Sequence, residues 1–266
     1  MAGGPTVHRF QKKLVFLAFC LSSISGFADV VTLVRFGEFA ALQTGNMIFI
    51  GRLVCQLTLS HEAHTWEEIG HHAAALLSNF CGVVLFCAIA HFCQRKYPVK
   101  LAALMISALT AGGAALDIAM HGNEWAGCLV AASFGAMNFI SSPNSPLGGK
   151  LFAMTSLATG NLQKSAKMFF MCITCQKFSV QDKQATCTAV TTVLATMLGA
   201  MLAGLALNAQ AFGPNEKQSY WLLLVSVLQL GTVLYHDVIL RPPDASAEEL
   251  ISDGHGISLP VSGSQA

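Results

Sequence analysis

The chain has 266 residues, of which 53% are hydrophobic and only 11% charged; 15 Lys and Arg nearly cancel 14 Asp and Glu, for a formal charge of +1. A mean hydropathy of +0.56 and so few charges, against about 25% in a soluble domain, exclude a soluble enzyme's surface, a disordered chain and the basic face of a nucleic-acid binder. The composition predicts an all-α, polytopic membrane protein whose first partner is the lipid bilayer.

In chain order, apolar runs near the roughly 20 residues that cross a bilayer fall at Leu14–Val34, Ala73–Cys93, Val99–Met120, Ala185–Leu207 and Tyr220–Leu240, with a shorter one at Trp125–Ile140. Two more segments are apolar but interrupted: Phe39–Leu59 carries Arg52, and Phe152–Cys175 carries Lys164 and Lys167. Residues 1–13 read as a cytoplasmic N-terminal segment and 14–240 as the transmembrane domain, with halves at 14–120 and 125–240. Residues 241–266, rich in Pro, Ser, Gly, Asp and Glu, read as a disordered tail. A signal peptide ending at Gly26-Phe27-Ala28 is the alternative for the first run, behind Arg9, Lys12 and Lys13. A later counterpart of this segment argues against it.

That counterpart is an internal repeat. Ser25-Gly26-Phe27-Ala28-Asp29 lies 15 residues before Thr44-Gly45-Asn46, and Phe134-Gly135-Ala136-Met137-Asn138 lies 21 residues before Thr159-Gly160-Asn161. Both halves read Gly-x-x-(Asp/Asn), a loop, then Thr-Gly-Asn opening an apolar segment, the pattern of a duplication.

Cations test the topology. With all eight segments crossing, Lys and Arg divide evenly between the two sides. With Phe39–Leu59 and Phe152–Cys175 re-entrant or broken, six spans remain, and ten cations fall inside against Arg35 and Lys217 outside, as the positive-inside rule expects. Both termini are then cytoplasmic, and Trp66, Trp125 and Trp221 lie near the outer face. Three crossings per half invert the second half relative to the first. Inverted halves, each with a discontinuous helix, are the architecture of many secondary transporters.

The repeated residues carry the expected substrate site: Asp29, Thr44, Gly45 and Asn46 from the first half, Asn138, Thr159, Gly160 and Asn161 from the second. Thr is a good N-cap, Gly admits close backbone approach, and Asn both donates and accepts. A helix starting at Thr44 or Thr159 would aim free N–H groups at an anion or polar group. Asp29 could bind a proton or cation, since an intramembrane carboxyl suggests function by default. The structural alternatives are tight helix packing at the triplets, and for Asp29 a pair with Arg35 or a cap on Thr44–Asn46 that fixes the broken segment. Asp117 and Asp237 read as solvated helix ends, and Glu38 as a partner of Arg35. His61, His64, His71 and His72 form a loose loop cluster with Glu62, Glu67 and Glu68. Surface histidines explain it better than a metal site, and Cys172 and Cys175 read as small apolar residues. No metal, cofactor, phosphate loop or nucleophile–base set is expected, and so no enzyme.

Gly26-Phe27-Ala28-Asp29-Val30-Val31-Thr32, then Gly37-Glu38-Phe39 and Gln43-Thr44-Gly45-Asn46-Met47, resemble the opening of the YoaK-like membrane proteins, the domain of unknown function 1275. Gly135-Ala136-Met137-Asn138 and Thr159-Gly160-Asn161-Leu162 resemble that family's later signature. The likeness covers roughly residues 14 to 240; Gln43, Glu38 and the long polar loop before Phe152 depart from it. It implies a multi-pass membrane protein and carries over no catalytic or substrate residues. The reading is a transporter of a small polar or anionic solute, coupled to a proton or cation, with one half rocking against the other. The alternative is a non-transporting membrane scaffold or assembly factor.

Overall fold

Apolar surroundings leave backbone N–H and C=O groups no outside partner, so apolar segments close their hydrogen bonds internally as helices. The computed structural model describes residues 5–60, 64–93, 98–120, 123–141, 180–208 and 220–240, with Asn161, Gln163, Ala166 and Ile173 besides. Among them stand seven α-helices and no strand: α1 (Pro5–Phe36), α2 (Gln43–Ser60), α3 (His64–Phe92), α4 (Pro98–Ala119), α5 (Ala126–Ser141), α6 (Val180–Asn208) and α7 (Tyr220–Leu240). Four of them, α1, α3, α4 and α6, contain stretches long and apolar enough to cross a membrane; α5 and α7 hold shorter apolar stretches. The chain is a helical integral membrane protein.

Several helices outrun the apolar runs that announce them. α3 starts at His64, nine residues before Ala73, and α1 starts at Pro5. Hydropathy marks what faces lipid, whereas the helix continues into polar residues until a breaker intervenes. Pro5 and Pro98 open α1 and α4 at the position where a missing N–H costs nothing. α1 ends because Gly37 adopts φ +73°, a left-handed conformation that glycine alone takes freely, and its N–H closes on the Leu33 carbonyl at 3.1 Å. The second interrupted segment, Phe152–Cys175, lies outside the described residues except for Asn161, Gln163, Ala166 and Ile173, and so do 1–4 and 241–266.

Helix directions follow from the contacts. Arg35, near the end of α1, pairs with Asp117, near the end of α4. His71, near the start of α3, bonds the Glu124 carbonyl just ahead of α5. α1 and α4 therefore run toward one end of the bundle, and α3 and α5 run away from it. Phe27 meets Trp221 and Phe16 meets Tyr235, so α7 runs antiparallel to α1. Trp66, Trp125 and Trp221 consequently share the Arg35 end, the first two well exposed, as interfacial anchors are.

Packing sorts the helices into two groups. α1 lies against α6 and α7, and α5 lies against α3 and α4. The groups meet along α4 and α7, and α2 packs on α3. Within each group small residues bring backbones together, the usual way helices pack without a hydrophobic drive between them. A side chain at Gly26 would strike the Thr196 carbonyl, and one at Gly199 the Ser23 carbonyl. On the other side, one at Gly135 would strike the Asn79 carbonyl, and one at Gly82 the Ala132 carbonyl. The two sets correspond. Ser23 and Gly26 lie 109 residues before Ala132 and Gly135, and Asn79 and Gly82 lie 117 residues before Thr196 and Gly199. Where the groups meet, Ser107 bonds Ser226 and Thr110 bonds Gln229, both pairs 119 residues apart. Leu194, Met197, Leu198, Met201, Leu202 and Leu205 of α6 face outward, an apolar surface that a bilayer covers.

Candidate functional site

The site grows from the turn that follows α1. After Gly37 the chain folds back along α1, and the amides of residues 39–42 have no helical carbonyl to meet. Asp29 and Thr32 of α1 supply them. Asp29 Oδ1 accepts the Ala41 N–H at 2.7 Å and the Leu42 N–H at 3.3 Å, and Thr32 Oγ1 accepts the Ala40 N–H at 3.2 Å. Asn46, in the first turn of α2, finishes the clasp: its Oδ1 accepts the Phe39 N–H at 3.0 Å and its Nδ2 donates to the Phe39 carbonyl at 2.8 Å. Asp29, Thr32 and Asn46 are buried. α2 therefore starts inside the bundle, beside Asp29, and climbs back toward the Arg35 end, where Arg52, Leu53 and Gln56 join the same cavity wall as Arg35 and Phe36.

The expected residues take distinct places. Asp29 and Asn46 are brought together across the linker. Gly45 packs under the Phe39 ring, where any side chain would collide. Thr44 is exposed and is not the N-cap, since α2 begins at Gln43. Asn138 lies on α5, where its carbonyl accepts the Ser141 hydroxyl at 2.9 Å. Asn161 is helical and buried; Thr159 and Gly160 lie outside the described residues. Asp29 pairs with neither Arg35 nor the Thr44–Asn46 amides: its Oδ1 caps the linker one turn earlier, at Ala41 and Leu42, and its Oδ2 is buried with no hydrogen-bond partner among the described residues.

Three expectations about charges are corrected. Arg35 pairs neither with Asp29 nor with Glu38 but bidentately with Asp117, at 2.8 and 3.0 Å. Asp117 is fully buried rather than a solvated helix end. Its guanidinium partner comes from a helix 82 residues away in sequence, a pairing no local spacing reveals. His71 and His72 are buried on α3 rather than free on a loop, because α3 starts early. No group of side chains among the described residues has metal-binding geometry.

Above the clasp opens a cavity of about 620 Å³ at the Arg35 end. Arg35, Arg52, Glu67, Glu68, His71, His72 and Glu124 supply its charged and titratable lining, and Phe36, Phe49 and Leu53 its apolar wall. The His72 ring stacks on Phe49 at 5.0 Å, and His71 stands edge-on to Trp125 at 5.9 Å. Glu38 lies just behind this wall, fully buried, with His71 Nε2 at 3.6 Å from Oε2. Burial, and next the Glu124 carboxylate, push its carboxyl up to about 8. The sequence pairs Glu38 with Arg35 rather than burying it; the signal for burial was its place directly after a helix-ending glycine, on a linker that turns inward.

A family model described as a protein of unknown function, DUF1275, matches residues 17–234. The chain belongs to the DUF1275 family. The matched stretch runs from early α1 into α7, so the clasp and the cavity both fall inside the DUF1275 region. No curated protein and no solved structure matches the chain.

Proposed function

We propose that this DUF1275 chain is a secondary transporter of a small polar solute, moved without chemical conversion. The observation that carries the reading is α2: a helix that begins inside the bundle beside Asp29 and returns to the end it came from, along a polar cavity. Irregular backbone at membrane depth is tolerated only where protein buries it or a wet cavity adjoins it, and broken helices of this kind form transporter sites. The lining carries three carboxylates against two guanidiniums, one of them tied to Asp117. A neutral, zwitterionic or cationic solute therefore suits it better than a free anion.

The similar sequence offsets of the two glycine–carbonyl sets, 109 and 117 residues, and of the α4–α7 hydrogen bonds, 119 residues, support two inverted halves, with six spans and two re-entrant segments. They also support a particular motion. The tight contacts join α1 to α6 and α3 to α5, so each rigid group mixes both halves. Alternating access on this reading moves one mixed group against the other, about the α4–α7 contact, rather than one sequence half against the other. Asp29, Thr44, Gly45 and Asn46, with Asn138, Thr159, Gly160 and Asn161, belong to the substrate path. Asp29 Oδ2 is the atom of the clasp left to meet a solute.

A membrane scaffold is the second reading, favoured by Gly45 under Phe39 and by the Asn46 side chain spent on its own linker. Uptake separates the two. Purified protein in liposomes is expected to accumulate at least one member of a panel of amines, amino acids and neutral polar solutes, and to respond to an imposed pH gradient. Liposomes that take up none of the panel above the empty-vesicle rate overturn the transport reading.

A further inference from the structure

We propose that Glu38 is a proton-binding site at the seam between the two helix groups, closed in this arrangement and opened to the cavity when the groups separate. It rests on the transport reading for what the proton drives, though not for the site itself.

The carboxyl stands where the groups meet. Glu38 follows α1 in one group, and its neighbours His71 on α3 and Gly127 on α5 belong to the other. Gly127 admits the carboxyl so closely that a side chain there would coincide with Oε1. Neither carboxyl oxygen has a hydrogen-bond partner among the described residues. An ionised carboxylate so enclosed and unbonded is costly, and such a group takes a proton instead. The surroundings agree. From the turn before α5 comes the Glu124 carboxylate, which disfavours a second negative charge. From α3 comes His71, whose Nε2–H donates to the Glu124 carbonyl at 2.9 Å, a bond that needs no charge on the ring. Arg35, the nearest guanidinium on its own chain segment, is engaged by Asp117 of α4. Cys128 of α5 also lies close enough to feel the Glu38 charge, and Arg52 of α2, His72, Glu67 and Glu68 line the cavity beyond.

Release follows from the geometry. If α5 moves off the linker, Gly127 and Glu124 withdraw and cavity water reaches the carboxyl. The proton leaves to that water, a carboxylate remains, and the His71 Nε2–H, already 3.6 Å away, turns from the Glu124 carbonyl to bond it. Each closing and opening thus binds and releases one proton per chain on the cavity side.

Infrared difference spectroscopy on the purified full chain tests this directly. A protonated-carboxyl band is expected that shifts on isotopic labelling of glutamate alone, fades as pH rises through about 8, and is missing in Glu38→Gln. The labelling assigns the band to one of eight glutamates, and Glu38→Asp, which should make the band insensitive to that label, assigns it to residue 38 where Glu38→Gln does not fold. Absence of a glutamate band, or its persistence in folded Glu38→Gln, overturns the proposal. Solute uptake without the band overturns the proton site and leaves transport standing. The band without any uptake upholds the site and removes the transport reading.

Discussion

Asp29→Ala isolates the clasp that turns α2 inward. The substitution removes the one oxygen that accepts both the Ala41 and Leu42 amides and leaves them buried beside α1. An orphaned buried donor costs about 1–3 kcal/mol, so the pair sums to about 2–6 kcal/mol. Asp29→Asn keeps a carbonyl oxygen in the same place and retains most of that. The cost is local first, because Thr32 and Asn46 still hold Ala40 and Phe39. Hydrogen–deuterium exchange on a peptide covering residues 37–42 reads it: at about 1.4 kcal/mol per decade, Asp29→Ala should speed exchange by one to four decades, bounded by the stability of the whole fold. Asp29→Asn should stay within about tenfold of the parent chain. Equal exchange in the parent chain and Asp29→Ala would refute the clasp. Equal acceleration by Ala and Asn would show that charge, rather than the acceptor oxygen, holds the linker.

The other expectations are sharper in sign than in size. Gly26→Leu or Gly135→Leu drives a side chain into a facing carbonyl and should abolish folded, monodisperse protein in detergent, whereas Gly51→Leu, with open space around it, should not. Arg35→Ala removes the guanidinium that holds the buried Asp117 carboxyl bidentately and should cost about 3–5 kcal/mol in thermal or denaturant unfolding; adding Asp117→Leu should recover part of it, and full additivity would count against the pair. Glu38 has its carboxyl raised from 4.5 to about 8 in the folded chain, so the folded state holds the extra proton between those values. Stability is then present at low pH and falls by up to about 1.4 kcal/mol per pH unit as pH climbs toward 8; Glu38→Gln should flatten that slope, and an unchanged slope assigns it elsewhere. Ser107→Cys with Ser226→Cys, on a background without native cysteines, replaces hydroxyls 2.8 Å apart with thiols placed to oxidise. Oxidation should stop uptake reversibly, and undiminished uptake by the oxidised chain would place the motion elsewhere.

Much of this architecture was legible in the sequence, and the part that was not has a physical cause. Apolar run length located every described helix, because lipid imposes it. The repeated Gly-x-x-(Asp/Asn) and Thr-Gly-Asn motifs marked the place where α2 turns inward, because only small and bidentate side chains permit that turn. Helix ends were missed where polar turns extend past the lipid, as at His64. The charges were missed more seriously. Arg35 lies six residues from Asp29 and three from Glu38 in sequence, yet Asp117 takes it, since helix ends brought together by packing outcompete local neighbours for a guanidinium. Glu38 looked like an ordinary loop carboxylate because its burial depends on Gly127, which nothing near it in the chain announces.

The same distinction separates what is fixed in this bundle from what can move. Contacts within each helix group are backbone on backbone: Gly26 on Thr196, Gly199 on Ser23, Gly135 on Asn79, Gly82 on Ala132. Such contacts cannot slide by a fraction of a turn without losing their dispersion energy, and nothing polar would replace it. Contacts between the groups are different. Arg35 with Asp117, Ser107 with Ser226, Thr110 with Gln229 and Glu38 beside His71 are polar pairs, and water or a new partner can take the place of each one. Beside these bonds the groups share an apolar core along α4 and α7, with Ile106, Leu222 and Val225 in it, so the exchangeable pairs are what distinguishes the seam from the packing within each group and what lets it hold two arrangements. Glu38 is the member of that seam whose proton changes the balance. Protonated, it tolerates enclosure against Gly127; ionised, it favours the arrangement that admits water. The pH of the compartment that the cavity faces then biases the seam, so a helix linker with no catalytic group makes the arrangement of the two groups depend on pH.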